Sequence, residues 1–88
     1  MQDLIKSFIE KNNKTRLYHE QHIVKLWYSE MGDFIVQHTK DVEFKQSVLY
    51  VKLLNASLRF ELMGRKSDII TKLNQKVGIE IVKDILFT

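Results

Sequence analysis

The chain has 88 residues, of which 44% are hydrophobic and 28% are charged, and its formal net charge is +3. These values are typical of one small globular domain, and the absence of cysteine excludes disulfide frameworks, zinc fingers and cysteine nucleophiles. No apolar run reaches the roughly 18 residues of a membrane span and the first residues do not resemble a secretory signal, so we expect a soluble, cytoplasmic protein.

The N-terminal half of the chain predicts two helices. Apolar residues at helical spacing predict a short helix over about 3–11, joined by a polar linker to a core domain over 15–88. Thr15 is a suitable N-cap for a longer helix that ends near Gln37. Trp27 lies on the apolar stripe of this helix, where we expect a buried ring whose indole N–H bonds a carbonyl. The alternative for Trp27 is a surface that stacks bases.

Two further residues of the long helix carry specific expectations. Gly32 is less favourable than alanine in a helix by about 1 kcal/mol, which indicates that another element packs closely there. His38 follows the predicted helix end, where its ring can bond the last carbonyl groups and its charge suits the helix dipole.

After Lys40 the hydrophobic period changes from helical to alternating. Val42 and Phe44 alternate with charged residues, a polar turn follows at 45–47, and 48–54 is rich in β-formers. The sequence therefore predicts a hairpin in which Leu49, Val51 and Leu53 face the core.

The last third of the chain predicts two helices and a closing strand. Asn55 can cap a helix with Leu58 and Leu62 in the core, and the chain is interrupted at Gly64. A second helix has one side formed by Lys66, Ile70, Leu73 and Val77, and Gly78 is placed to end it in a left-handed conformation. Residues 81–87 predict a strand.

Without the first helix the order is αββααβ, which is the order of a type II KH domain. We therefore expect an α+β fold with a three-stranded sheet and helices on one face. The helix pair crosses over between the second and third strands, so those two strands should be parallel.

An ordered set of residues runs through these elements. Trp27, Gly32, Ile35, His38 and Thr39 form W-x-x-x-x-G-x-x-I-x-x-H-T, and further motifs follow at Leu49-Tyr50-Val51, Leu58-Arg59-x-Glu61-Leu62, Leu73-Asn74, Gly78 and Ile85-x-Phe87. The set resembles the DciA family of bacterial replicative-helicase loaders and their short relatives, over about residues 17–88. The resemblance implies a KH-like fold and the replicative helicase as partner. Helicase-loading members generally carry further extensions, whereas this chain stops at Thr88, so we expect contact with the helicase and leave loading open.

The whole formal charge excess lies between residues 59 and 76. This stretch has two acidic and five basic residues, while the nine basic and nine acidic residues elsewhere cancel. The basic residues, which we take as candidate nucleic-acid contacts, are Arg59, Arg65, Lys66, Lys72 and Lys76.

The placement of these cations predicts how nucleic acid would be held. A KH domain has a GxxG loop where this chain has Gly64-Arg65-Lys66-Ser67, so one glycine is missing and backbone clamping is in doubt. Arg65, Lys72 and Lys76 fall on one side of the helix, which predicts weak, salt-sensitive binding of single-stranded DNA or RNA. The alternative is an ordinary solvated helix face. For Arg59 the alternative is a structural salt bridge, with Asp84 as one possible partner.

The second candidate surface is the sheet face that points away from the helices. It should carry four apolar residues, which are Val48, Tyr50, Leu54 and Leu86. A patch of this kind usually binds a partner, and here we expect a dimer or coverage by the helix over 3–11.

No catalytic motif is present, and we expect neither enzymatic activity nor a cofactor. His19 and His22 lie one helical turn apart but are expected to be solvated rather than metal ligands. The residues thus favour a nucleic-acid-associated adaptor. The alternatives are a protein-interaction or homodimerisation module without nucleic-acid affinity, and a KH-like protein associated with RNA or the ribosome.

Overall fold

The computed structural model describes residues 19–88. The predicted helix over 3–11, its linker and the predicted N-cap Thr15 lie outside these residues. The elements are α1, described over 19–30, then α2 (Asp33–Gln37), β1 (Thr39–Lys45), β2 (Val48–Leu53), α3 (Ala56–Met63), α4 (Lys66–Val77) and β3 (Asp84–Phe87). The described chain is therefore a small α+β unit with a three-stranded mixed sheet.

The long helix predicted to reach Gln37 is interrupted at Gly32, which corrects the prediction. Gly32 has φ 90° and ψ 159°, a conformation that favours glycine, and it is the N-cap residue of α2. Among residues 19–88, a Cβ at this position would meet no atom within 4 Å. The expected close neighbour is therefore absent from this part of the chain, and the residue is explained by its positive φ instead.

The hairpin and the strand order follow the prediction. β2 is the central strand, antiparallel to β1 and parallel to β3. The connecting residues Gln46 and Ser47 both have left-handed φ values, 53° and 67°, as in the two-residue turns that suit hairpin twist. The carbonyl of Ser47 accepts a 2.8 Å hydrogen bond from the amide of Lys83.

One face of the sheet carries the core. Leu49, Val51 and Leu53 are buried, as predicted, together with Leu58 and Leu62 of α3. The other buried hydrophobic side chains come from α1, β1, α4 and the segment that ends in β3, namely Ile23, Trp27, Val42, Phe44, Ile69, Leu73, Val82 and Ile85. The described helices thus cover the face to which the alternating strand residues point.

The buried stripe of α4 differs from the predicted one. Ile69 and Leu73 are buried at its centre, whereas Ile70 and Val77 only border the core. Lys66, which the prediction placed on the stripe, is instead paired with a residue of β3. No helix in the described part of the chain is long and apolar enough to span a membrane.

The predicted helix ends of α3 and α4 are confirmed. The Asn55 side chain accepts a 2.9 Å hydrogen bond from the amide of Leu58. At the other end of the pair, Gly78 is left-handed with φ 96°, and its amide bonds the carbonyl of Asn74.

Asn74 has a second role that the sequence did not reveal. Its Oδ1 accepts from the amides of Ile81 (3.2 Å) and Val82 (2.8 Å), and its Nδ2 donates to the carbonyl of Val82 (3.1 Å). These bonds hold residues 81–82 in an irregular conformation against α4. The closing strand therefore begins at Asp84 rather than at Ile81.

Trp27 is completely buried, which confirms the structural interpretation. Its Nε1 donates to Oγ1 of Thr39 at 3.1 Å, and that hydroxyl donates to the carbonyl of Ile35 at 2.7 Å. The indole therefore bonds a hydroxyl, not a carbonyl as predicted. Its ring centroid lies 6.1 Å from that of Phe87, so Trp27 connects α1, α2, β1 and β3.

We predict that Trp27→Ala unfolds the domain or nearly so. Truncation of a buried aromatic costs about 3–5 kcal/mol, a large share of the roughly 5–15 kcal/mol that stabilises a small domain. Denaturant unfolding followed by circular dichroism measures the loss. Tyr28→Ala, which changes the exposed aromatic next in sequence, is the matched control and should stay folded. A Trp27→Ala midpoint equal to that of the control would contradict the core role.

Candidate nucleic-acid interface

The five candidate cations do not form one uniform surface. Arg59 lies half-buried on α3, whereas Arg65, Lys72 and Lys76 are exposed. Because α4 turns 100° per residue, Arg65, Lys72 and Lys76 fall on one side of the helix, and they are called the basic row below. The structure thus separates Arg59 and Lys66 from the basic row.

Two members of the basic row contact the end of α1. The Nζ of Lys72 donates to the carbonyl of Glu30 at 3.2 Å, and the Nζ of Lys76 lies 3.8 Å from Glu30 Oε1. Cations at a helix C-terminus satisfy its last carbonyls and interact favourably with its dipole. Lys72 and Lys76 therefore hold α1 against α4 as well as presenting positive charge.

Arg65 is the remaining member of the basic row, and it forms no ion pair with another described residue. It lines a small cleft of about 100 Å³ together with Ile35 and Lys72. Glu30 and Asp68 lie on the same cleft, so Arg65 has acidic neighbours but no ion-pair partner within the described part of the chain. Arg65 is thus the member of the row best placed to meet an external anion.

The turn between α3 and α4 gives Arg65 this position. Gly64 has an ordinary helical conformation, with φ −73° and ψ −13°, and its amide bonds the carbonyl of Glu61. Arg65 is the N-cap residue of α4 but provides no side-chain cap. A phosphate at this turn would therefore be held by side-chain charge rather than by a glycine-lined backbone.

Lys66 is paired with Asp84 of β3 at 3.1 Å. The backbone N–H of Ile85, which bonds the Asp84 carboxylate at 2.8 Å, and the adjacent Lys66 ammonium lower the pKa of Asp84. The salt bridge that the sequence suggested between Arg59 and Asp84 is thus wrong, because Asp84 is paired with Lys66. In the described part of the chain, no hydrogen bond or ion pair involves the Arg59 side chain.

The predicted pairing of Tyr50 with Leu86 on neighbouring parallel strands is confirmed, whereas Leu54 lies one residue beyond the end of β2. Tyr50 pairs with Leu86 across the parallel strands, and the side chain of Leu86 is 43% exposed. Val48 and Tyr50 are half-buried, while Leu54 is 63% exposed. Coverage by the helix over 3–11 concerns residues outside the described part.

Polar groups border this apolar face more closely than the sequence suggested. Glu43 and Lys45 of β1 pair with Tyr50 and Val48, and the Nζ of Lys45 lies 6.0 Å from the centroid of the Tyr50 ring. An apolar centre with a charged border is typical of protein interfaces.

The three histidines do not form a metal site. Among the described residues, no group of three or more His, Asp or Glu side chains could hold a metal ion. The Nδ1 of His38 lies 2.9 Å from the carbonyl of Phe34, as expected for a histidine at a helix end.

The comparisons with known proteins give one match. The family model described as "Dna[CI] antecedent, DciA" matches residues 1–87. No curated protein and no solved structure matches the chain. Since the family match covers nearly the whole sequence, the chain belongs to the DciA family.

Proposed function

We propose that this chain is a non-enzymatic replication adaptor that contacts single-stranded nucleic acid through its basic row and the replicative helicase through another surface. Membership of the DciA family implies a helicase-loader-like role in DNA replication and an interaction with the replicative helicase. The observation that supports nucleic-acid contact is the basic row, in which Arg65 has no ion-pair partner among the described residues.

The element order supports a KH-like domain for this role. After α1 and α2, the order ββααβ with parallel β2 and β3 is that expected for the type II KH arrangement. In a KH arrangement the α3–α4 turn, which holds Gly64 and Arg65, would take the place of the GxxG loop. We therefore propose that the nucleic-acid backbone crosses the protein at this turn.

The contacts of the basic row also predict weak binding. Lys72 and Lys76 are partly neutralised by Glu30 and by the C-terminal carbonyl of α1. Phosphate contacts release counterions, so the affinity should fall steeply as salt rises.

We predict that changing Arg65, Lys72 and Lys76 together to Gln abolishes most binding to oligothymidylate. Gln is preferable to Glu, because a glutamate at 72 or 76 would repel Glu30 and loosen α1. For single strands the salt slope is about −0.7 per phosphate contact, so the triple variant should lose about two units of slope. Fluorescence anisotropy at several salt concentrations measures both quantities.

The matched control changes three exposed lysines outside the basic row, Lys40, Lys52 and Lys83, to Gln. It removes the same charge and should keep most of the affinity. Equal losses in the two triple variants would mean that net charge, and not the basic row, holds the strand.

We predict that Glu30→Gln strengthens binding to the same oligonucleotide. The change removes the negative charge that neutralises Lys76, and exposed ion pairs are worth about 0.2–1 kcal/mol, so affinity should rise about 1.4- to 5-fold at low salt. The melting temperature should fall slightly, because α1 loses a contact with α4. Glu80→Gln, an equal charge change in the loop after α4, should leave affinity unchanged. A gain of the same size in both variants would contradict a specific effect of Glu30.

The rival proposal is a protein-interaction module that uses the outward sheet face, with a second copy of the chain or the helicase as partner. The exposure of Leu54 and Leu86 favours such a face. Water contact with this area is unfavourable by about 25 cal/mol per Å² of apolar surface.

We predict that Leu86→Asp disrupts association through this face. Leu86 tests the face better than half-buried Tyr50, where an Asp would also disturb packing. Light scattering and capture on purified replicative helicase give the two readouts, and we expect one of them to be lost. Phe60→Asp, on the outer side of α3, is the control. If Leu86→Asp keeps both its mass and its helicase binding, the sheet face is not the interface.

A further inference from the structure

An exposed aromatic ring lies on α2, outside the basic row. The side chain of Phe34 is 60% exposed, although Phe is usually buried in small domains. Its ring centroid lies 4.5 Å from that of His38, with an interplanar angle of 45°. The two residues are called the Phe34–His38 pair.

The partner ring of this pair is oriented by a hydrogen bond. His38 Nδ1 lies 2.9 Å from the carbonyl oxygen of Phe34, and because a carbonyl can only accept, Nδ1 carries the proton of this bond. The backbone of His38 is held as well, since its carbonyl accepts a 2.8 Å hydrogen bond from the amide of Leu54. Phe34 therefore lies against an imidazole that is oriented by a hydrogen bond, while more than half of its surface meets solvent.

The pair adjoins the basic row. Ile35, the residue next to Phe34, lines the same small cleft as Arg65 and Lys72. Consecutive Cα atoms are only 3.8 Å apart, so the backbone of Phe34 is one residue from that cleft. A strand whose phosphates meet Arg65 would pass close to α2.

Three other aromatic residues are less suitable for stacking. Trp27 is completely buried, and Tyr50 is half-buried beside Lys45. Phe60 is 80% exposed on α3 but has no ring contact within the described part of the chain. Phe34 differs from Phe60 in having His38 as a partner ring and in being next in sequence to Ile35, which lines the cleft of Arg65.

We propose that Phe34, supported by His38, is a stacking platform for an unpaired base of a strand held by the basic row. Proteins that bind single strands combine a positive surface with aromatic rings on which bases stack. This inference rests on the proposed nucleic-acid contact. It also defines the ligand, because the faces of a base inside a duplex are covered by its neighbours and cannot stack on Phe34. The ligand class is therefore a single strand with unpaired bases, of DNA or of RNA.

The test compares strands of equal charge with and without bases. The probes are oligothymidylate of about 16 nucleotides, an abasic sugar–phosphate strand of the same length and a duplex of that length. A base stacked on an aromatic ring contributes enough that oligothymidylate should bind at least about fivefold more tightly than the abasic strand. Phe34→Ala should lower the affinity for oligothymidylate to the affinity for the abasic strand. The affinity for the abasic strand and the salt slope should not change.

Two further variants isolate stacking from other effects. Phe34→Leu retains apolar volume without a π-face and should lose discrimination as Phe34→Ala does. Phe60→Ala, the same change at the other exposed phenylalanine of residues 19–88, should retain it. Thermal unfolding checks that each variant is folded, and an oligouridylate arm identifies whether the preferred strand is RNA or DNA.

The experiment distinguishes a failure of the stacking platform from a failure of the proposed nucleic-acid contact. If the unaltered protein binds oligothymidylate and the abasic strand equally, or if Phe34→Ala or Phe34→Leu still discriminates, the stacking platform is wrong while the basic row stands. If the unaltered protein binds none of the probes, the proposed nucleic-acid contact is itself wrong.

Discussion

The burial of Trp27 is the constraint on which the rest of the structure depends. Its ring fills the space between α1 and the sheet, and its N–H begins a chain of two hydrogen bonds through Thr39 to the carbonyl of Ile35. A buried indole without a partner would be unfavourable by about 1–3 kcal/mol, so the hydroxyl of Thr39 must lie where it does. The start of β1 and the end of α2 are thereby fixed relative to α1. The packing around Trp27 thus positions both candidate contacts of a nucleic-acid strand, which are Phe34 on α2 and the basic row on α4.

The packing of α1 against α4 also explains why the same lysines can stabilise the fold and bind phosphate. The end of α1 reaches α4 through Glu30, whose carbonyl and carboxylate contact Lys72 and Lys76. Such exposed contacts are individually worth less than about 1 kcal/mol. Phosphates could therefore compete for these lysines without unfolding α1. Arg65 and Lys66 are neighbours in sequence, but among the described residues only Lys66 of the two forms an ion pair, with Asp84.

The sequence predicted features that depend on local chemistry or on alternation. The cap at Asn55, the end of α4 at Gly78 and the inward face of β2 were all predictable, because each depends on a few adjacent residues. The break at Gly32 was not, since a helix can tolerate a glycine for about 1 kcal/mol and sequence alone does not reveal its φ. Lys72 and Glu30 are 42 positions apart in the sequence, so no local pattern could predict their contact.

The hairpin turn shows how a short element can depend on distant residues. Gln46 and Ser47 adopt left-handed conformations without being glycine or asparagine, which costs roughly 1–2 kcal/mol for each residue. The amide of Lys83, from the segment that precedes β3, bonds the carbonyl of Ser47 and helps to hold this turn. Formation of the hairpin and docking of the last strand should therefore be cooperative. Although only two residues separate β1 from β2, the turn that joins them is bonded to a residue 36 positions further along the chain, so a change in the segment before β3 can disturb the hairpin.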